Sequence, residues 1–156
     1  MSGEPSDLAW TLRPAAHADR DFAFELNRAT MKEYVEATWG WDDAEQEALF
    51  DESFDPSDCE IIRIGSTDIG LLAVEESADE IYLAGIYLLP EWQSRGIGSS
   101  IVHSLLERGA ASGKPVTLRV LHSNPRAEAL YERLGFTRFR TIETHAYLRA
   151  DPPARD

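Results

Sequence analysis

The sequence predicts a mixed α/β fold built on one sheet. Segments whose apolar residues alternate, as in strands, are interleaved with segments whose apolar residues recur at helical spacing. A turn signal at 65–68 lies between two apolar runs and indicates a hairpin. A Gly-rich turn, Gln93–Gly98, joins the apolar run Ile81–Leu89 to an amphipathic helix. The resulting element order is β-α-α-β-β-β-α-β-α-β-β.

The first half of the chain is predicted to hold the first strand, two helices and the hairpin. The alternation of apolar and polar residues predicts where the strands lie. Phe22, Leu26 and Ala29 fall on one face of the first helix. In order, the predicted elements are a strand at Leu8, Trp10 and Leu12, helices over Asp19–Tyr34 and Asp42–Phe50, and strands over Glu60–Ile64 and Ile69–Glu75.

The second half is predicted to alternate strands with helices before closing in two antiparallel strands. Gly135 is placed to end the last helix. The predicted elements are a central strand over Glu80–Leu89, a helix over Ile97–Arg108, a strand over Val116–Leu121, a helix from Pro125 to Gly135, and strands over Phe136–Phe139 and Ile142–Leu148.

Length and composition favour one cytoplasmic domain. With 156 residues, the chain suits a single domain over residues 8–149, with tails at 1–7 and 150–156. No apolar run is long enough to span a membrane, and the first residues lack the features of a secretory signal. The single cysteine, Cys59, has no partner for an internal disulfide, which fits a reducing compartment.

The charge balance limits the partners. A net charge of −13 disfavours nucleic acid, which needs clustered Lys and Arg. It mildly favours cationic acceptors such as amines, although a solvated acidic surface explains the same balance. The four histidines lack metal-ligand spacing, so no metal is expected.

The Gly-rich turn Gln93–Gly98 is the most informative stretch of the chain. Such a turn before a helix leaves backbone N–H groups unpaired at the positive end of the helix dipole, where a pyrophosphate binds well. No Lys follows Gly98, as a Walker A loop requires, and the third glycine of a dinucleotide fingerprint is absent. Gln93, Gly96 and Gly98 do match the pattern Gln/Arg-x-x-Gly-x-Gly/Ala. A tight turn at a helix start, without a ligand, remains the plain alternative.

A second motif follows at Asn124–Phe136. Asn124 is a good N-cap, Pro125 suits the first helical position, and Gly135 ends the helix. The two motifs together resemble the GNAT N-acetyltransferase family, whose pyrophosphate loop has the pattern above and whose later segment reads Asn-x-x-Ala-x-x-Leu-Tyr-x-x-x-Gly-Phe. The resemblance covers about Leu8–Arg149 and is weakest in the first half.

The resemblance implies a GNAT-like acyl-CoA acyltransferase fold, with a mainly antiparallel sheet and a splayed central strand pair. It also implies acetyl-CoA as co-substrate. The strand edge at Tyr87–Leu89 would pair with the pantetheine arm, and a bulge is expected there. The implied cofactor-binding residues are Leu88, Leu89, Gln93, Ser94, Arg95, Gly96, Ile97, Gly98, Ser99, Asn124 and Tyr131.

The resemblance also suggests catalytic roles. Tyr131 lies where family tyrosines meet the CoA sulfur, and a phenol can donate a proton at neutral pH. Glu80, on the central strand, is the candidate base. Glu75, Glu76 and a bound water relay are alternatives, and Tyr131 has the alternative role of a packed core tyrosine.

The acceptor site is assigned to the first helices, which cover the substrate side in this family. The segment Met31–Trp41 is expected to be an aromatic loop between two helices, with Tyr34, Trp39 and Trp41 forming a wall and Glu80 or Tyr82 opposite them on the sheet. Alternatively, the two tryptophans fasten the helical hairpin to the sheet.

Two functions follow from the sequence. The first is an acetyl-CoA-dependent N-acetyltransferase that acts on a primary amine of a small molecule or a protein. The second is a non-catalytic acyl-CoA-binding module of the same fold. No nucleic-acid or membrane partner is expected, and the sequence leaves open whether the chain forms a homodimer.

Overall fold

The computed structural model describes residues 9–153. Leu8, the predicted tail at 1–7 and the end of the predicted C-terminal tail therefore lie outside the described residues. The helices are α1 (Arg20–Trp39), α2 (Asp43–Ser53), α3 (Ile97–Ser112) and α4 (Pro125–Arg133). The strands are β1 (Trp10–Pro14), β2 (Cys59–Ile64), β3 (Thr67–Glu76), β4 (Ile81–Leu88), β5 (Val116–Leu121), β6 (Thr137–Thr141) and β7 (His145–Ala150).

The strands form one sheet of seven in the order β1-β2-β3-β4-β5-β7-β6. All neighbouring strands run antiparallel except β4 and β5, which run parallel. This arrangement confirms the predicted mixed fold with a mainly antiparallel sheet.

The central pair β4–β5 is splayed. Only Ile81 with Val116 and Tyr82 with Thr117 are in register, at the start of both strands. Beyond that point the strands separate, so the second half of β4 has a neighbour on the β3 side alone. The predicted splayed pair is therefore present, and it opens toward the end of β4.

A β-bulge accompanies the splay, at a different place from the predicted one. Ala73 of β3 pairs with Gly85 and Val74 pairs with Leu83, so Ala84 is the extra residue. The expectation of a bulge at Tyr87–Leu89 was wrong in position. One extra residue shifts the alternation of side chains by one, and the strand after Ala84 changes the face to which each residue points.

Each face of the sheet carries its own hydrophobic core. One core packs α3 against the sheet through Ile97, Ile101 and Leu105, all nearly fully buried. The other packs α1 against β2 and β3 through Leu26, Ile61 and Leu71. α1 and α3 thus cover opposite faces of the sheet.

The first helix is longer than the sequence predicted. α1 continues to Trp39 and ends at Gly40, whose φ of 83° is accessible to glycine and strained for other residues. The interpretation of Met31–Trp41 as a loop was therefore wrong. Met, Lys, Glu and Ala are good helix formers, and the aromatic residues among them do not interrupt the helix.

The last two strands begin later than predicted. Residues 142–144 form the turn between β6 and β7, closed by a hydrogen bond from the Ile142 N–H to the His145 carbonyl at 2.9 Å. The predicted strand over Ile142–Leu148 thus begins at His145. Within residues 9–153, no helix has the length and apolar character that crossing a bilayer would require.

Candidate active site

A cleft of about 460 Å³ lies where β4 and β5 separate. Its walls come from the end of β4, the Gly-rich loop, the first turns of α3, the helix α4 and the middle of α1. The residues that line it include Ile86, Tyr87, Leu88, Gln93, Ser94, Gly96, Gly98, Ser99, Asn124, Arg126, Tyr131 and Arg133, with Tyr34 on the α1 side. The cleft therefore brings together the two motifs that the sequence singled out.

The loop forms an open cradle of backbone N–H groups at the start of α3. Gly96 is the N-cap with φ of 85°, and Ser94 also adopts a positive φ of 62°. No side chain caps the helix, and its first turn carries no acidic residue. The first N–H groups of α3 have no intrahelical partner, so they are available to an anion at the positive end of the dipole.

The fold itself does not require glycine at position 98. A Cβ built on Gly98 would meet only the Leu88 Cδ1 atom, at 3.8 Å, which is an ordinary contact. Gly98 lines the cleft, so a side chain at position 98 would project into the space that a ligand would occupy. The cradle thus has the shape and the N–H donors that a pyrophosphate needs.

The free edge of β4 faces the same cleft. The Leu89 N–H bonds to the Ile69 carbonyl at 2.9 Å, so Leu89 turns its backbone toward β3. Backbone groups of successive strand residues point to opposite edges, so those of Leu88 and Ile86 point toward β5. The Leu88 carbonyl accepts a hydrogen bond from the Gln93 Nε2 at 2.9 Å. The Ile86 backbone and the Leu88 N–H are left for an extended ligand.

Tyr131 projects from α4 into the cleft. Its ring packs edge-on against Phe136 at a centroid distance of 5.6 Å. Burial raises the pKa of the Tyr131 phenol to about 12, and the nearby Tyr87 adds to that rise. The phenol therefore keeps its proton throughout the physiological range and can act as a proton donor.

The two ends of α4 supply polar and positive groups to the cleft. The Asn124 Oδ1 accepts a hydrogen bond from the Ala127 N–H at 3.2 Å, so Asn124 caps the helix and also lines the cleft. Arg126 and Arg133 line the cleft as well, and neither forms a salt bridge with a described residue. These guanidinium groups add positive charge to the cleft in a strongly acidic protein.

Tyr87 is a cleft residue that the sequence did not single out as a functional side chain. Its hydroxyl lies 2.5 Å from the position that a Cβ on Gly85 would take, so glycine at 85 makes room for the phenol. Burial raises the pKa of Tyr87. Strand alternation without the Ala84 bulge would place Tyr87 on the same face as Leu83. The Gly85 in an otherwise apolar strand was the only sequence signal for the bulge.

Three predicted cofactor residues lie beside the cleft without lining it. Leu89 packs into the core on the α1 face. The Ile97 side chain is buried in the core under α3, and only its N–H belongs to the cradle. Arg95 is exposed, with its guanidinium 4.9 Å from the centre of the Trp92 ring and its Nε donating to the Glu91 carbonyl. A bound phosphate could attract Arg95 only if that side chain turned.

Glu80 and Tyr82 sit at the closed end of the splay. Glu80 accepts a hydrogen bond from the Thr117 hydroxyl, next to the last paired position of β4 and β5. It lies eight residues before Leu88, roughly 26 Å along an extended strand. The structure therefore gives Glu80 a contact that holds the strand pair, and it does not place this carboxylate among the cleft residues.

The two tryptophans take different positions. Trp39, at the end of α1, is 59% exposed and lies 6.0 Å from the His145 ring of β7. Trp41 follows Gly40, and its Nε1 donates to the Asp43 Oδ1 at 2.6 Å. Ser123 ties the same end of α1 to the start of α4 through a hydrogen bond from its Oγ to the Tyr34 carbonyl at 2.8 Å. Of the predicted acceptor residues, Tyr34 alone lines the cleft.

Residues 23–136 match the model of the Acetyltransferase (GNAT) family. The chain belongs to the GNAT acetyltransferase family. This match confirms the resemblance that the two motifs indicated. It covers the cradle, the free edge of β4 and Tyr131, and it ends at Phe136.

Known proteins resemble the chain in part or in fold. Human cysteine-rich protein 2-binding protein is 34% identical over 67 residues, which cover 43% of this chain and 8% of that protein. Bovine thialysine N-epsilon-acetyltransferase is 43% identical over 56 residues, which cover 35% of this chain and 33% of that protein. The chain thus spans a minor part of these curated relatives.

Among solved structures, the PaiA N-acetyltransferase of Thermoplasma acidophilum in complex with coenzyme A has the same fold. The TM-score is 0.73 at 18% sequence identity, over 92% of this chain and 99% of that chain. The TM-score and the coverage show that the two chains share a fold.

Proposed function

We propose that the chain is an acetyl-CoA-dependent N-acetyltransferase that transfers an acetyl group to a primary amine. The observation that carries this proposal is that one cleft combines an open helix N-terminus, an unpaired strand edge and a proton-bearing tyrosine. These three features suit, in that order, a pyrophosphate, an amide-containing arm and a leaving thiolate.

The binding residues follow from the geometry of the cleft. The N–H groups of Ile97, Gly98 and Ser99 would hold the pyrophosphate, with Arg126 adding positive charge. The backbone groups of Ile86 and Leu88 would pair with the pantetheine amides, as a peptide pairs with a free sheet edge. Gln93 keeps the cradle and this edge at a fixed separation through its hydrogen bond to Leu88.

The chemistry is a direct transfer. The acceptor nitrogen forms a bond to the acetyl carbon, the carbon–sulfur bond breaks, and the nitrogen loses a proton to solvent. Tyr131 gives its proton to the departing sulfur and is then reprotonated by water. Glu80 lies outside the cleft, which supports the water relay over a single carboxylate base.

The acceptor side lies between the end of α1 and β7. Trp39 and His145 approach each other there, and Tyr34 links this region to the cleft. The bovine relative is named for acetylating the ε-amine of thialysine, and this name supports a small amine with an amino-acid character as acceptor. A protein N-terminus or lysine would need to reach the same opening.

A non-catalytic acyl-CoA-binding module is the second candidate. One observation favours it: the described residues that line the cleft include no Asp, Glu or His. A module of this kind would keep the cradle and the strand edge but would not turn over. In such a module, the Tyr131 hydroxyl would have no thiolate to protonate.

Release of free thiol from acetyl-CoA in the presence of a panel of amines tests the proposal. Amine-dependent release, together with mass-spectrometric detection of the acetylated amine, is the expected result. Calorimetric binding of acetyl-CoA without amine-dependent thiol release would overturn the catalytic proposal and support the binding module. Absence of acetyl-CoA binding would overturn both.

A further inference from the structure

Acidic residues outnumber Lys and Arg by 28 to 15, so a cation without an acidic partner is informative. Most arginines of residues 9–153 form salt bridges with nearby carboxylates. In that part of the chain, the cations without a salt bridge are Lys32, Arg95, Arg119, Arg126, Arg133 and Arg140. Arg95 belongs to the loop, and Arg126 and Arg133 belong to α4. The positive charge of Lys32 helps lower the pKa of Asp43. Arg119 and Arg140 remain.

Arg119 and Arg140 lie on one face of the sheet, on either side of Tyr147. Tyr147 of β7 pairs with Arg119 of β5 and with Arg140 of β6. Residues directly opposite each other in a sheet place their side chains on the same face. The Arg140 guanidinium lies 5.2 Å from the centre of the Tyr147 ring. Both arginines are exposed, so their N–H donors are open to a ligand.

Of this arginine pair, Arg119 is the member nearer to the cleft. Thr117 is the last residue of β5 that pairs with β4, and Arg119 is two residues further on. The Arg119 side chain therefore lies on the same face as that of Thr117, at a level where β4 and β5 have separated. Burial raises the pKa of Tyr87, and the positive charge of Arg119 opposes that rise. Since Tyr87 lines the cleft, Arg119 is within electrostatic reach of the reaction site.

On this face, Glu75 and Glu80 lie away from the arginine pair, and Asp151 is already ion-paired with Arg149. Glu75 of β3 pairs with Tyr82 of β4, which separates it from β5. Glu80 is held by the Thr117 hydroxyl. Apart from the Arg149–Asp151 ion pair, the face therefore runs from carboxylates at β3 and β4 to guanidinium groups at β5 and β6. An acceptor with a negative group at one end and an amine at the other would suit this face, with its negative group at the arginines and its amine toward the carboxylates.

We infer that the acceptor is an amine that also carries an anionic group, a carboxylate or a phosphate, which Arg119 and Arg140 bind while the nitrogen reaches past Tyr87 into the cleft. This inference rests on the proposed function and names the substrate class of that site. Guanidinium groups suit it because they donate paired N–H groups to carboxylate and phosphate oxygens. The bonds made and broken are those of the proposed transfer.

Matched amines test the inference. Lysine differs from cadaverine by its carboxylate, and phosphoethanolamine differs from ethanolamine by its phosphate. For at least one pair, the wild type is expected to show a kcat/KM at least about tenfold higher for the anionic member, the scale of one charge-assisted hydrogen bond. The pair that shows the preference tells carboxylate from phosphate.

The variant Arg119→Gln should remove most of that preference by lowering kcat/KM for the anionic member, while kcat/KM for the member without the anionic group and the KM for acetyl-CoA stay nearly unchanged. Arg119→Lys should restore part of it. Arg149→Gln is the matched control, because it removes one cation from the same sheet, where Arg149 already pairs with Asp151. This control should keep the wild-type preference.

The outcomes separate the inference from the proposed function. Acetylation of amines without any preference for the anionic members, or an equal loss for both members in Arg119→Gln, would overturn the inference and leave the transferase standing. If no amine releases thiol, the transferase proposal fails. Calorimetry of the same four amines then decides the arginine pair: binding that needs the anionic group and Arg119 supports it, and its absence overturns it.

Discussion

The Gln93 side chain donates a hydrogen bond from Nε2 to the Leu88 carbonyl at 2.9 Å. This bond joins the first residue of the Gly-rich loop to the last residue of β4. The Leu88 carbonyl, which could otherwise accept a hydrogen bond from a ligand, is occupied by this bond. The Leu88 N–H stays free to donate to a ligand. The N–H cradle and the strand edge are therefore held as one unit before any ligand binds.

Substitution of Gly98 should weaken acetyl-CoA binding without unfolding the protein. Gly98→Ala adds a methyl group that meets only the Leu88 Cδ1 atom, at 3.8 Å, whereas Gly98→Val adds bulk where a pyrophosphate would approach. We expect the affinity in calorimetry to fall at least about tenfold for Gly98→Val, a loss of about 1.4 kcal/mol, and less for Gly98→Ala. Ala44→Val, on the exposed face of α2, is the control for adding a branched residue to a helix. Unchanged affinity in folded Gly98→Val would remove the cradle from the site.

Tyr131→Phe should lower kcat by roughly 10²-fold or more and leave acetyl-CoA binding nearly unchanged. The ring keeps its packing against Phe136, and only the hydroxyl is lost. The pKa of about 12 keeps the phenol protonated, so kcat of the wild type should show no fall from Tyr131 ionisation up to about pH 10. Tyr34→Phe removes a hydroxyl from the α1 wall as a comparison. A preserved kcat in Tyr131→Phe would make Tyr131 a packing residue.

Trp39→Ala should raise the KM for the amine and leave the KM for acetyl-CoA unchanged. Because Trp39 is 59% exposed, its truncation leaves no buried cavity, and the melting temperature should change little. Trp41→Ala is the matched control, since Trp41 contacts Asp43 instead of β7. Equal changes in both KM values, or a large loss of stability, would show that Trp39 holds α1 on the sheet and does not face the amine.

His145 should respond to the charge of Arg119. Burial lowers the pKa of His145 below its ordinary value, and the charges of Arg119 and His122 lower it further. Arg119→Gln should therefore raise the His145 pKa in an NMR titration. A depressed pKa means that the unfolded state binds this proton more readily, so His145 stabilises the fold above about pH 6.5 and the gain is lost as the pH falls. His145→Gln should make the acid-side fall in melting temperature shallower, and an unchanged slope would contradict this account.

The sequence alone determined the features that local chemistry sets. Alternation of apolar residues located the strands, and Asn124, Pro125 and Gly135 fixed the ends of α4 because caps act within a few residues. Gly96 and Gly98 identified the loop for the same reason. The family resemblance and the mixed sheet followed from these patterns, the splayed pair followed from the resemblance, and all three are confirmed.

The tertiary structure decided what depends on distant neighbours. The bulge at Ala84 sets the face of Tyr87, and its position is fixed by the pairing of β4 with β3, which the sequence signals only through Gly85. The aromatic residues near the end of α1 resemble a loop in sequence, yet the helix continues through them and ends only at Gly40. Whether an arginine is paired or free depends on which carboxylates the fold brings near, so Arg119 and Arg140 emerge as a pair only once β5, β7 and β6 lie side by side.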